Sequence, residues 1–247
     1  MVKKTNFKIY VLAAALILIV AAGILFTCIP GKSRRVVAVV NDIPIYQEEI
    51  IFAASELRLS VRNEWMNTYN LDSEGFSWEK SYDGGESALA CVTDRAVREI
   101  AGDKLLQKIA LDKGLMEAID YPSIQKQMES ENAQRQEKKS KDEVFYGITS
   151  FPESQYYDYL NQNLRLQVIG VLSEDKSLAL SDEEMQEIYN ENMEYFQYED
   201  FETVKMSVKD LGLKEKFDQY MEDMLAKADI QIKKPEVMEK AVHKAVM

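Results

Sequence analysis

The spacing of apolar positions divides the chain into one long apolar run, a short alternating stretch and a series of helical ladders. From Ile9 to Ile29 no side chain is charged. A helix of that length spans roughly 31 Å at ~1.5 Å per residue, which matches a hydrocarbon core, so the run is predicted to be a single N-terminal transmembrane helix. Val36 to Val40 and Ile43 to Tyr46 are short runs rich in β-branched residues, separated by Asn41-Asp42. Both turn residues tolerate the positive φ of a two-residue hairpin. Pro44 cannot donate to a ladder, which confines the second strand to an edge.

From Gln47 the period becomes helical. Ile50, Ala54, Leu57, Val61 and Trp65 predict a helix over about 47–69, with Glu48 and Glu49 in its first turn. A loop over 70–85 ends in Asp83-Gly84-Gly85. A second helix over about 86–113 carries Val97, Ala101, Leu105 and Ile109 on one ladder and stops at Gly114. Pro122 opens a polar, thinly packed helix to about 140. Ser150-Phe151-Pro152 opens a fourth, striped with Tyr157, Leu160, Leu164, Val168 and Val171. Ser181 and Glu184 form a capping box for the next helix. The last long helix is read over roughly 200–228, with a kink expected at Gly212, followed by a short strand over 229–233. Three short strands, two at the start of the body and one near its end, are expected to pair. The fold class is thus mainly α: a transmembrane helix, then a helical domain with a small β patch. The expected organisation is a cytoplasmic tip, anchor and stalk over 1–35, a domain over 36–233 and a tail over 234–247.

Composition narrows the chemistry. The 247 residues include 30 Lys+Arg, 42 Asp+Glu, one His and a formal net charge of −12. Phosphate contacts need a basic face, so a nucleic-acid binder is not expected. With 10 Gly and 5 Pro there are too few turn signals for an all-β design. One histidine excludes any site that needs two, and the two cysteines exclude a disulfide framework. His243 falls in the expected tail, a poor place to hold a base. Gly84-Gly85 lacks the Lys-Ser/Thr of a phosphate loop, and no nucleotide site is visible. Cys91 sits in an apolar patch and reads as a small buried hydrophobe. Neither a catalytic residue, a cofactor nor a metal is expected. The aromatic group Phe145, Tyr146, Phe151, Tyr156 and Tyr159 has two readings, a client-contact surface or packing under the fourth helix.

The apolar run has three fates: a retained anchor, a cleaved signal peptide, or a lipoprotein signal. Leu25-Phe26-Thr27-Cys28 is similar to a lipobox, which makes Cys28 the candidate lipidation site. Lys3, Lys4 and Lys8 before the run face Lys32, Arg34 and Arg35 after it, so charge alone leaves its orientation a near tie.

Several stretches together resemble the SurA/PrsA-type foldase family. They are VAVVNDIPIYQEEI from Val37, LLQKIALDKGL from Leu105, LSDEEMQEIYNENMEYF from Leu180, and the segment from Phe201 to Lys233. Asp42 stands where the family has Gly, and Tyr46 where it has Thr. The family usually inserts a parvulin prolyl-isomerase domain after the helix that here ends at Phe196. Here the closing helix follows within a few residues, and the paired histidines of that isomerase are missing. The resemblance therefore implies a membrane-anchored, extracytoplasmic chaperone module that binds unfolded or secreted polypeptides without isomerase activity. It also breaks the charge tie and places the body outside the cell membrane. Met185, Met193, Met206, Met221 and Met224 suit a surface that adapts to many partners, or a filled core. Two alternatives stand beside this one. The same fold could be a scaffold for one specific partner, or an isomerase with a degenerate site.

Overall fold

A computed structural model of the protein describes residues 35–247 except 142, 145 and 146. The first pairing is a hairpin of β1 (Val36–Val40) and β2 (Ile43–Tyr46). Its turn residues Asn41 and Asp42 adopt φ of 45° and 65°. Seven helices and one strand follow among the described residues: α1 (Gln47–Thr68), α2 (Ala88–Asp112), α3 (Tyr121–Ser140), α4 (Glu153–Glu174), α5 (Asp182–Glu191), α6 (Phe201–Lys227), β3 (Ile230–Ile232) and α7 (Pro235–Val246). The strands form one antiparallel sheet in the order β2-β1-β3. Val39 lies opposite Gln231 and Val40 opposite Ile230, so the start and end of the domain close on each other. One backbone bond and one side-chain bond reinforce the closure: Asn41 N–H donates to the Asp229 carbonyl and Asp229 N–H to Asn41 Oδ1, both at 2.9 Å.

Local signals set the helix ends. Ser87 Oγ accepts from Ala90 N–H at 3.1 Å and starts α2. Gly114, at φ 72°, ends it, with Leu115 N–H reaching the Ala110 carbonyl at 2.8 Å. Ser181 and Glu184 exchange the two bonds of a capping box at 3.1 and 2.7 Å. The core gathers under the sheet between α1, α2, α4 and α7, around Val37, Ile45, Ile50, Val61, Val92 and Ile100. The loop before α2 joins it through buried Trp78 and Tyr82, the Tyr82 hydroxyl donating to the Gly75 carbonyl at 2.8 Å.

Three expectations change. The helix α6 is continuous through Gly212, which is there for space: a Cβ at that position would collide with Ile188 of α5 and with Leu180 just before that helix. Residues 234–247 are not a loose tail. They form α7, which buries Met238, Ala241, Val242 and Val246 against the rest of the domain. Its amphipathic pattern is short, and it reads as a tail until a partner face is known to exist.

The third correction concerns the membrane. No helix among the described residues is long and apolar enough to cross one. Each long helix interleaves its apolar positions with charged ones, because one stripe faces a protein core and the rest faces water. The run from Ile9 to Ile29, and Cys28 within it, lie outside the described residues. The fold class is therefore mainly helical with a three-stranded antiparallel sheet, and the described helices speak against the expected single-pass membrane location.

Candidate functional site

The helices α4 and α6 each turn one stripe inward. Tyr157, Leu160, Leu164, Val168 and Leu172 of α4 are buried, as are Val208, Leu213 and Phe217 of α6. Where the two helices run side by side they leave an open groove of about 430 Å³. Ile169 and Leu213 form its floor, Leu166 and Met206 its apolar flanks. Leu166 is 60% exposed and Met206 70%. Gly170 also lines the groove, and a Cβ placed there would meet nothing within 4 Å. The rim carries both signs of charge: Glu174 and Asp210 against Lys209 and Lys214. The Arg165 guanidinium pairs with Asp218 and lies 5.1 Å over the Phe217 ring, tying the two helices beside the groove.

The predicted contact aromatics separate. Phe151 and Tyr159 come together, stacked with ring centroids 4.9 Å apart and with Arg135 4.5 Å over Phe151. Asn132 of α3 holds Phe151 from both sides of its backbone, accepting its N–H at 2.7 Å and donating to its carbonyl at 3.0 Å. Tyr156 is buried in the core, and burial pushes its hydroxyl up to about 12. Phe145 and Tyr146 lie outside the described residues. Of the five methionines, Met185 is buried, Met221 and Met224 pack against the core, and Met193 and Met206 are exposed.

A buried polar network links three helices. Glu49 of α1 and Lys104 of α2 are fully buried and form an ion pair at 2.5 Å. Lys104 Nζ also donates to the Ile119 carbonyl at 2.9 Å and Gln107 Oε1 at 3.2 Å, which uses all three of its donors. Gln107 Nε2 donates onward to Asn161 Oδ1 at 2.9 Å and Tyr157 Oη at 3.3 Å, both on α4. Burial raises the Glu49 carboxyl above its ordinary range, against the pull of Lys104. With its donors satisfied, the ammonium is a structural joint and not a free nucleophile.

A second group of acids meets beside this network. Burial pushes Asp103 up to about 8, with Glu99 adding to it. Burial and a hydrogen bond with Asp158 raise Glu56 to about 7. No cluster of His, Cys, Asp or Glu among the described residues has the geometry to hold a metal ion. Cys91 is buried, and burial raises its thiol, which makes it a poor nucleophile. His243 projects from α7 and pairs with Glu79 at 2.9 Å.

Compared with known proteins, the chain matches no family model, no curated protein and no solved structure.

Sequence reasoning missed the groove and the buried pair for different reasons. Leu166 falls off the inward stripe of Leu160, Leu164 and Val168, and an isolated apolar residue on a polar face was its only signal. Glu49 reads as an ordinary first-turn acid and does accept the Tyr46 N–H at 2.9 Å. Nothing local marks it as the partner of a lysine 55 positions later.

Proposed function

We propose that the protein is a non-enzymatic, chaperone-like binder of unfolded polypeptides, and that a client segment sits in the groove between α4 and α6. The observation that carries this reading is the apolar lining left in water: Leu166 and Met206, on helices whose other large apolar residues mostly pack inward. Such exposure costs solubility unless it is used. The groove is open to solvent and lined by apolar side chains and charges of both signs, which suits passing side chains better than a small molecule. Met206 adapts to varied partners, and a rim of both charges discriminates little between clients.

The resemblance to the SurA/PrsA-type foldases supports the same reading. Only residues 192–200 separate α5 from α6, too few for an isomerase domain. Release of a client would follow mass action.

The test is aggregation of a chemically unfolded client, followed by light scattering, with the full chain in molar excess and no nucleotide. Aggregation slows if the proposal holds. Gly170→Trp fills the groove from a position with open space around it; protection disappears while the thermal melt does not fall. Isomerisation of a proline peptide proceeds at its uncatalysed rate. Equal scattering with and without the protein overturns the reading, and so does full protection by Gly170→Trp.

A further inference from the structure

The two outer edges of the sheet differ. Val40 and Ile43 flank the hairpin turn, and Val40 and Ala38 face Ile43 and Ile45 of β2. The alternate positions, Val37 of β1 and Asn41 just after it, bond the other way: Asn41 N–H reaches the Asp229 carbonyl at 2.9 Å, and the Val37 carbonyl accepts from Lys233 N–H at 2.8 Å. Antiparallel ladders alternate, so residues 229, 231 and 233 bond inward, and the N–H and C=O groups of Ile230 and Ile232 point off the sheet. No backbone partner meets them among the described residues. The opposite edge is closed. Its outward positions are Pro44, which has no N–H, and Tyr46, whose N–H goes to Glu49 Oε2.

The open edge reads Asp229-Ile230-Gln231-Ile232-Lys233. An identical strand running antiparallel and centred on Gln231 sets Ile230 against Ile232 of the second copy. The same register sets Asp229 against Lys233 at both ends. We propose that β3 is a self-association edge, through which two copies of the chain join their sheets about a twofold axis at Gln231. The contact is isologous, each copy using the same surface. The exposed face of the strand already carries a polar line. Lys233 Nζ donates to Gln231 Oε1 at 2.6 Å, and Gln231 Nε2 donates to Asp229. In the paired sheet these charges meet their opposites, and cross-strand pairs of opposite charge are favourable. On the other face Ile230 packs against the core and Ile232 is 41% exposed, so pairing extends the apolar layer. An unrelated extended peptide would satisfy the four backbone groups, but only this sequence answers both charges.

The full chain carrying Gln231→Cys and Cys28→Ser tests it under mild oxidation. A residue on the axis faces its own copy at a non-hydrogen-bonded position, roughly 4.5 Å between Cα atoms, within disulfide reach. A covalent dimer forms. Adding Asp229→Lys, or separately Lys233→Asp, sets like charges opposite each other and lowers the yield roughly tenfold. Mixing those two variants restores it as heterodimers, because the lysines of one chain then face the acids of the other. All three positions are exposed, so the fold survives the changes. No dimer, a yield indifferent to the charge changes, or no rescue on mixing overturns the proposal. A disulfide to an unfolded client carrying a cysteine, in place of the dimer, assigns the edge to extended polypeptides and overturns it equally.

Discussion

At the scale of single residues, Lys104 is the most consequential position. Among the described residues, its ammonium is the only cation paired with the fully buried Glu49. Lys104→Met leaves that carboxylate unpaired in the core, and breaking a buried pair costs about 3–5 kcal/mol. A matching fall in the urea midpoint is expected. The double change Glu49→Leu/Lys104→Met recovers most of it, since no charge is then stranded. Gly170 is the converse case. It lies within α4 in open space, so Gly170→Ala removes the helix penalty of glycine and raises stability by about 0.5–1 kcal/mol. Thermal melts of the two proteins check this.

At the scale of elements, the contact of α1, α2 and α4 makes stability depend on pH. Asp103 and Glu56, raised to about 8 and about 7, keep their protons in the folded state well above the pH at which the unfolded chain has lost them. Between about pH 4 and pH 8 the folded state therefore binds more protons, and stability falls as pH rises. It levels off above pH 8. Asp175, held to about 2 by Lys113, acts in the opposite sense, and its contribution is lost only as the solution becomes strongly acidic. Urea midpoints are expected to be higher at pH 5.5 than at pH 8.5, and Asp103→Asn should flatten the difference. An unchanged midpoint would mean that these acids are hydrated and titrate normally.

At the scale of the whole molecule, α7 decides whether the domain holds together. Met238, Val242 and Val246 are buried, and each such side chain contributes about 1.5–3 kcal/mol. Together they approach the net stability of an ordinary domain, about 5–15 kcal/mol. A chain ending at Lys234 is expected to lose its cooperative melt in circular dichroism, although the expected tail reading makes that segment dispensable.

Local chemistry is what the sequence determined by itself. The turn at Asn41-Asp42, the edge strand marked by Pro44, the Ser181 cap and the Gly114 stop each depend on groups within a few residues of one another, so they are legible one segment at a time. The helical ladders were legible for the same reason, since a repeat of 3.6 shows which face must be buried. Only the tertiary structure decided what those faces meet. It paired Glu49 with Lys104, turned Leu166 and Met206 to either side of one groove, used Gly212 for close packing and docked α7 onto the core. These are long-range choices made by burial and desolvation, and a sequence pattern records that a surface is apolar without recording which partner covers it, or whether any does.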